Sequence, residues 1–227
     1  MKHALGGDGN LVALHSSFST KRLWNAFLEA GHRRVFHKGQ AIFLQGEMVS
    51  DLMYLHKGVV KLSLLTESGK ERVIDFLIGP DLFGQVAGFD GEDCFASCLA
   101  KETVEVYTVP LSLVDDLVKQ HPEIVYVLLQ SMAHKNRWLA SQIADLNSWG
   151  AYSRLCKTLL KLDTVLSLVP VTHQEIADTV GATRAKVTIL LNQLAKEGVI
   201  TKRYSSIRIL DRDRLVKLAS MDCEAGA

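Results

Sequence analysis

The chain has 227 residues, 48% hydrophobic and 22% charged, with a formal net charge of +1. This length allows one large or two small domains, and the balanced charge excludes a strong single-sign field over the whole molecule. No apolar run approaches the roughly 18 residues of a membrane span and no signal peptide is evident, so no membrane partner and a cytoplasmic location are expected. The four cysteines, Cys94, Cys98, Cys156 and Cys223, are scattered without a CxxC pair, as suits a reducing compartment. Cys94 and Cys98 read as one strand, which puts them roughly 13 Å apart at about 3.3 Å per residue. A disulfide spans at most about 7 Å between Cα atoms, so they do not pair there.

In chain order, residues 1–18 contain Gly6-Gly7-Asp8-Gly9-Asn10 and read as a flexible arm. A short helix is expected over Thr20–Ala30. From Arg33 to Pro110 the texture becomes β-rich, with runs such as Leu52–His56 and Val59–Leu65 between glycines. Many short strands at this spacing predict a barrel or jelly roll, placed at residues 19–122. Glu123–Leu146 reads as one long helix within a segment 123–149. Along it Leu128, Met132, Asn136, Leu139, Ile143 and Leu146 form a coiled-coil seam, which predicts a homodimer. Trp149-Gly150 marks a hinge, and a further helix is expected over Tyr152–Leu162.

Residues 150–227 hold the most informative stretch. Thr172 with Glu175 is a capping box, in which each side chain satisfies an orphan N–H at a helix start. Gly181 falls where the chain must turn into the left-handed backbone region. Thr183 caps a second helix, whose Val187, Leu190, Leu191 and Leu194 follow helical spacing. The runs Ile200–Tyr204 and Ser206–Leu210 predict a hairpin wing. Helix, glycine turn, helix and basic wing point to DNA. Charge agrees: residues 1–149 carry 14 Lys and Arg against 17 Asp and Glu, whereas residues 150–227 carry 12 against 8. Phosphate contact needs that local excess. No catalytic constellation, metal-ligand spacing or phosphate loop stands out, and His134 and His173 stand alone; neither an enzyme nor a resident cofactor is expected.

His37–Phe43, Gln45-Gly46-Glu47, Tyr54–Gly58 and Gln174-Glu175-Ile176-Ala177 with Gly181, in this order, resemble the cAMP receptor protein/FNR family of bacterial transcription regulators over about residues 20–215. The resemblance implies an α+β chain: an N-terminal cyclic-nucleotide-binding-like β-roll, a long dimerisation helix and a C-terminal winged helix-turn-helix. It implies a homodimer on palindromic double-stranded DNA with half-sites roughly 34 Å apart. RNA polymerase is a further partner if the protein is an activator.

By family position, the effector pocket is expected at Gly84, Gln85, Val86, Phe95, Ala96, Leu139 and Ala140. The family's nucleotide motif is Gly-Glu followed by Arg-Ser, with a Thr-Ser pair on the long helix. Here stand Gly84-Gln85, Phe95-Ala96 and Leu139-Ala140. The phosphate's cation and its hydrogen-bonding partners are replaced by apolar groups, so a small apolar or aromatic effector, with or without a carboxylate, is expected instead of cAMP. The same substitutions also fit a pocket filled by side chains and no effector. Haem sensing through one of the eight histidines and thiol sensing through Cys94, Cys98 or Cys156 are further readings of the fold, as is a regulatory protein acting on a protein partner. Iron–sulfur sensing needs N-terminal cysteines, and the first here is Cys94.

The base readers by family position are Arg184, Ala185, Thr188 and Ile189. Members that read the common TGTGA or TTGAT half-sites carry Glu and Arg where this chain has Ala185 and Ile189, so a different half-site is expected. Ala and Ile suit thymine methyls, and Arg184 suits guanine. Lys186, Lys202, Arg203, Ser205 and Arg208 are the expected phosphate contacts.

Overall fold

A computed structural model of the chain describes residues 25–148, 150–203 and 206–220. The expected arm, Trp149, Ser205 and Cys223 lie outside the described residues, as does the first part of the Thr20–Ala30 helix, of which residues 25–30 are helical (α1).

Eight strands follow: β1 (His32–Phe36), β2 (Ala41–Phe43), β3 (Asp51–Lys57), β4 (Val59–Leu65), β5 (Glu71–Ile78), β6 (Asp81–Phe83), β7 (Ser97–Ala100) and β8 (Val104–Pro110). They form two four-stranded sheets, ordered β1-β8-β3-β6 and β2-β7-β4-β5. This is the jelly-roll arrangement expected from many short strands. Only Cys98 lies in β7; Cys94 sits in the preceding loop, so the single-strand placement of the two is corrected. The tight β3–β4 turn needs Gly58: its φ is +100°, and a Cβ there would lie 2.8 Å from Val104 Cγ1.

β3 is buried along most of its length because both its faces are covered. Leu52 and Tyr54 join Phe27, Leu82, Val109, Val114, Leu117, Ile124 and Leu128 in one apolar cluster. Met53 and Leu55 alternate to the other face, as a strand's period of two requires. The cluster is roofed by helices: α1, α3 (Leu111–Gln120) and the start of α4 (Glu123–Ser148). The short α2 (Gln85–Asp90) and α3 were not legible as helices in the sequence.

The long helix exists, two residues longer than predicted, but its stripes differ from expectation. Ile124, Leu128 and Ser131 are buried. Leu128, expected in the dimer seam, is only 8% exposed and belongs to the chain's own core. The exposed stripe is Val125, Leu129, Met132, Asn136, Leu139 and Ile143, with Leu129 at 60% and Ile143 at 62%. Replacing Leu128 by Leu129 turns the spacing into a regular alternation of four and three. Leu146's side chain lies outside the described residues.

α5 spans Ala151–Leu168, longer than the predicted Tyr152–Leu162, because Val165 and Leu166 continue its buried face. It stops at Val169, whose extended backbone is what the following Pro170 imposes. Then come α6 (His173–Val180), α7 (Arg184–Lys196), β9 (Ile200–Arg203), β10 (Ser206–Ile209) and α8 (Arg212–Ala219). α8 was not anticipated, although Asp211 is a recognisable cap whose carboxylate accepts from the Arg214 N–H.

The chain forms two compact units: residues up to Val60 with Leu77–Arg137, and Lys61–Phe76 with residues from Trp138 onward. The β4–β5 hairpin thus groups with the C-terminal helices. Among the described residues no helix is long and apolar enough to cross a membrane.

Candidate nucleic-acid interface and effector region

The second unit holds the helix-turn-helix. At the start of α6, Thr172 Oγ1 accepts from the Glu175 N–H at 3.1 Å, and Glu175 Oε2 accepts from the Thr172 N–H at 2.9 Å. This is the predicted capping box, both halves formed. α6 ends at Gly181 with φ 72°, left-handed. Arg154 of α5 donates from Nε to the Val180 carbonyl at 3.0 Å, satisfying one orphan acceptor at that end. Thr183 then starts α7, its Oγ1 accepting from the Lys186 N–H.

α7 buries Val187, Leu190, Leu191 and Leu194, the residues predicted to face inward. Arg184, Ala185, Lys186, Ile189 and Asn192 are exposed. Thr188 lies at the flank of this face, and its hydroxyl is 3.0 Å from Nδ1 of His173. The predicted wing is present as β9 and β10, paired antiparallel with Ile207 opposite Lys202. The Lys202 ammonium reaches back to Oδ1 of Asn192, which sets a cation beside the exposed face of α7. Arg208 is exposed on β10, while the side chain of Arg203 lies outside the described residues. Arg184, Ala185, Lys186, Thr188, Ile189 and Lys202 therefore share one helix and the strand tied to it. His173 beside Thr188 and the tie of Asn192 to Lys202 were missed; nothing in sequence spacing reports contacts between elements.

The same unit contains polar contacts around the buried Lys61 and Glu175 that sequence spacing could not reveal. Lys61 of β4 donates to Glu71 Oε1 at 2.7 Å and lies 3.8 Å from Oε1 of Glu175. Glu175 thus serves both the capping box and Lys61. Lys161 of α5 lies 3.5 Å from Asp75 of β5.

In the first unit, the expected pocket residues separate by exposure. Gln85 is 2% exposed and Ala96 is buried, but Phe95 is 52% exposed and Val86 is exposed as well. Phe95 is therefore not enclosed by the β-roll. Gly84 takes the left-handed backbone that begins α2. Leu139 and Ala140 are exposed on α4 and belong to the second unit. Beyond Ile124 and Leu128 in the apolar cluster, Ser131 and Lys135 of α4 make polar contacts with the roll. Gln85 Nε2 points at Ser131 Oγ across 3.4 Å, with Ser131 itself 1% exposed. Lys135 donates to the Leu82 carbonyl and lies close enough to Cys98 to act on its thiol. A cation is thus present beside the roll, supplied by the helix instead of the strand, and the sequence reading missed it. Ser131 and Lys135 are four apart on the stripe that begins at Ile124.

Burial pushes the Cys98 thiol far above its ordinary range. Cys94 is raised as well, by burial and then by Glu47, Asp93 and Asp90. Cys94, Cys98 and Cys156 are all buried, and none is in a disulfide. Thiols held protonated this way are poor nucleophiles, which disfavours redox sensing through Cys94 or Cys98. Among the described residues no cluster of His, Cys, Asp or Glu could hold a metal ion.

The fold and the site define a class: winged helix-turn-helix proteins with an N-terminal jelly-roll domain. Known proteins of that class match this chain along most of its length. The cyclic nucleotide-binding domain family matches residues 33–121, and the Crp-like helix-turn-helix domain family matches residues 153–218. The chain is 29% identical to the global nitrogen regulator of Synechococcus elongatus over 187 residues, 78% of this chain and 84% of that protein. It is 28% identical to the cAMP-activated global transcriptional regulator Vfr of Pseudomonas aeruginosa, over 84% of this chain and 94% of that one. The solved structure of a CRP/FNR-family transcriptional regulator from Thermus thermophilus superposes with a TM-score of 0.65 at 25% identity, covering 84% of this chain and 99% of that one. The chain belongs to the cAMP receptor protein/FNR family of DNA-binding transcription regulators.

Proposed function

We propose that this regulator works as a homodimer on a palindromic operator, and that its β-roll takes a small apolar or aromatic acid in place of a cyclic nucleotide. Within it, residues 19–122 sense the effector, 123–149 dimerise and 150–227 bind DNA. The observation that carries the effector reading is the pair of changes at the family's nucleotide motif. Phe95 and Ala96 stand where the family has Arg-Ser, while Lys135 of α4 supplies a cation beside Gln85 and Ser131. A cyclic phosphate loses here the guanidinium fork and the hydroxyl that hold it in the family, and one ammonium replaces the charge without the paired hydrogen bonds. A single carboxylate on an apolar body suits one ammonium and apolar walls.

The exposed stripe of α4 supports the dimer. Val125, Leu129, Met132, Asn136, Leu139 and Ile143 alternate in steps of four and three, the heptad pattern with which two helices wrap with their apolar seams together. A second copy carries the same stripe, so the contact closes on itself as a two-fold dimer. Arg184, Ala185, Thr188 and Ile189 read bases, and Lys186, Lys202, Arg203, Ser205 and Arg208 hold phosphates. Ile189 and Ala185 favour thymine methyls, which separates the operator from the common half-sites.

The test is calorimetry of the full chain with cAMP and with a set of substituted benzoates and phenylacetates. The expected result is no heat with cAMP, micromolar binding of at least one acid, and at least tenfold weaker binding of that acid to Lys135→Met. Micromolar binding of cAMP overturns the effector class. Acid binding unaffected by Lys135→Met removes Lys135 from the site.

A further inference from the structure

His173 opens α6, and its ring faces the recognition helix α7. Nδ1 lies 3.0 Å from Thr188 Oγ1. Among the described residues, the charges that act on the ring are both cationic: Lys202 on β9 and then Arg184 at the start of α7. The other charges nearby have partners of their own. Glu175 on α6 is engaged by Thr172 and lies beside Lys61, and Asp178 accepts from the Gln174 amide. From α5, Arg154 meets the far end of α6 at Val180. Burial, then Lys202, then Arg184 hold the ring below the ordinary histidine range.

A threonine hydroxyl has one hydrogen to give and lone pairs to receive with. A neutral imidazole that carries its proton on Nε2 takes the Thr188 hydrogen at Nδ1. Thr188 then shows only lone pairs to a base edge. An imidazolium instead donates from Nδ1 into a Thr188 lone pair, and the hydroxyl hydrogen turns outward. The first arrangement suits a base that donates, adenine through N6 or cytosine through N4. The second suits one that accepts, guanine through O6 and N7 or thymine through O4.

We propose that His173 is a specificity-determining residue of the DNA interface, setting whether Thr188 presents an acceptor or a donor to its base pair. The inference rests on the DNA-facing reading of Arg184 to Ile189. In the free protein burial, then Lys202 and Arg184, favour the neutral ring, with Nδ1 accepting from Thr188. A duplex brings phosphates that offset Arg184 and Lys202, so the bound state favours the imidazolium. The ring therefore titrates at higher pH in the complex than in the free protein. Between those two values the complex holds more protons, so affinity rises as pH falls through that window. Each proton taken up contributes up to about tenfold in affinity per pH unit. The same proton changes which base is preferred.

The experiment is selection of duplexes from a randomised pool by the full chain at pH 8 and at pH 6. For the wild type, one position per half-site is expected to shift from adenine or cytosine toward guanine or thymine as pH falls. His173→Gln should show a preference at that position that does not move with pH, and Thr188→Val should show no hydroxyl-dependent preference at either pH. A wild-type preference identical at both pH values, or a shift that survives in either variant, overturns the proposal. A second readout needs no DNA: the 15N shifts of the His173 ring in the free protein at pH 8. Nδ1 is expected unprotonated, and a neutral ring protonated at Nδ1 overturns the proposal. Failure to enrich any duplex at either pH sinks the DNA-facing reading and the inference with it, a result distinct from pH-invariant selection.

Discussion

At the scale of single residues, the roles proposed for Arg184 and Lys202 in DNA recognition differ in kind. Arg184 is exposed at the start of α7, where its fork can meet a guanine. Arg184→Ala should cost about 1–3 kcal/mol per half-site on operator DNA and relax preference at one base position. Lys202, held beside α7 by Asn192, should act on phosphates. Lys202→Ala should weaken binding to all duplexes and reduce the salt slope by about one unit per contact. Equal losses on operator and random duplex for both variants remove Arg184 as a base reader. A second residue-scale prediction concerns acid. Arg33 pairs with Glu105 at 2.6 Å and, through that hydrogen bond, draws its carboxyl down to about 2. A carboxyl depressed in the folded state stabilises it above its unfolded pKa, and that stabilisation fades as pH falls toward about 2. Glu105 should titrate near that value by NMR and return to the ordinary carboxylate range in Arg33→Ala.

At the scale of elements, adjacent leucines on α4 separate two roles. Leu128 sits in the core of the first unit and Leu129 faces out. Leu128→Ala should lower folding stability by about 2–5 kcal/mol, the range for a buried leucine. Leu129→Ala should leave protomer stability nearly unchanged and weaken self-association, read by sedimentation at micromolar concentration. Loss of association in Leu128→Ala with none in Leu129→Ala reverses the assignment of the stripes. The capping box makes a smaller, local prediction. Thr172→Ala removes the acceptor for the Glu175 N–H and should cost about 1 kcal/mol, measured as reduced protection from hydrogen exchange in α6.

At the scale of the whole molecule, an effector changes DNA affinity only if it binds one arrangement of the protein better than another. The long helix carries both groups of residues to which those roles are proposed: Ser131 and Lys135 meet the β-roll, and the exposed stripe runs from Val125 to Ile143. Asn136 is the polar member of that stripe, and a polar seam residue lowers packing energy while setting register. Asn136→Leu should stabilise one register and make operator affinity constant, high or low, whether or not cell extract or aromatic acids are added. An effector response of wild-type size in Asn136→Leu excludes register change as the route.

Local patterns carried the helix-turn-helix. Thr172, Glu175, Gly181 and Thr183 act within three or four residues of their partners, so their chemistry is written in spacing. The strand runs and the long helix were legible for the same reason, since a period of two or of 3.6 is a local property. Which stripe of α4 faces inward was not. Leu128 and Leu129 are chemically identical neighbours, and only packing against Phe27, Leu52 and Leu82 selects Leu128 for the core. Lys135 at the Leu82 carbonyl, Lys61 beside Glu175 and His173 at Thr188 likewise join residues from different elements. Side chains distant in sequence become partners only when the elements that carry them dock, so the family and its DNA-binding role were determined by the sequence alone, whereas the inward cation, the exposed stripe and the histidine at the recognition helix were decided by the tertiary structure.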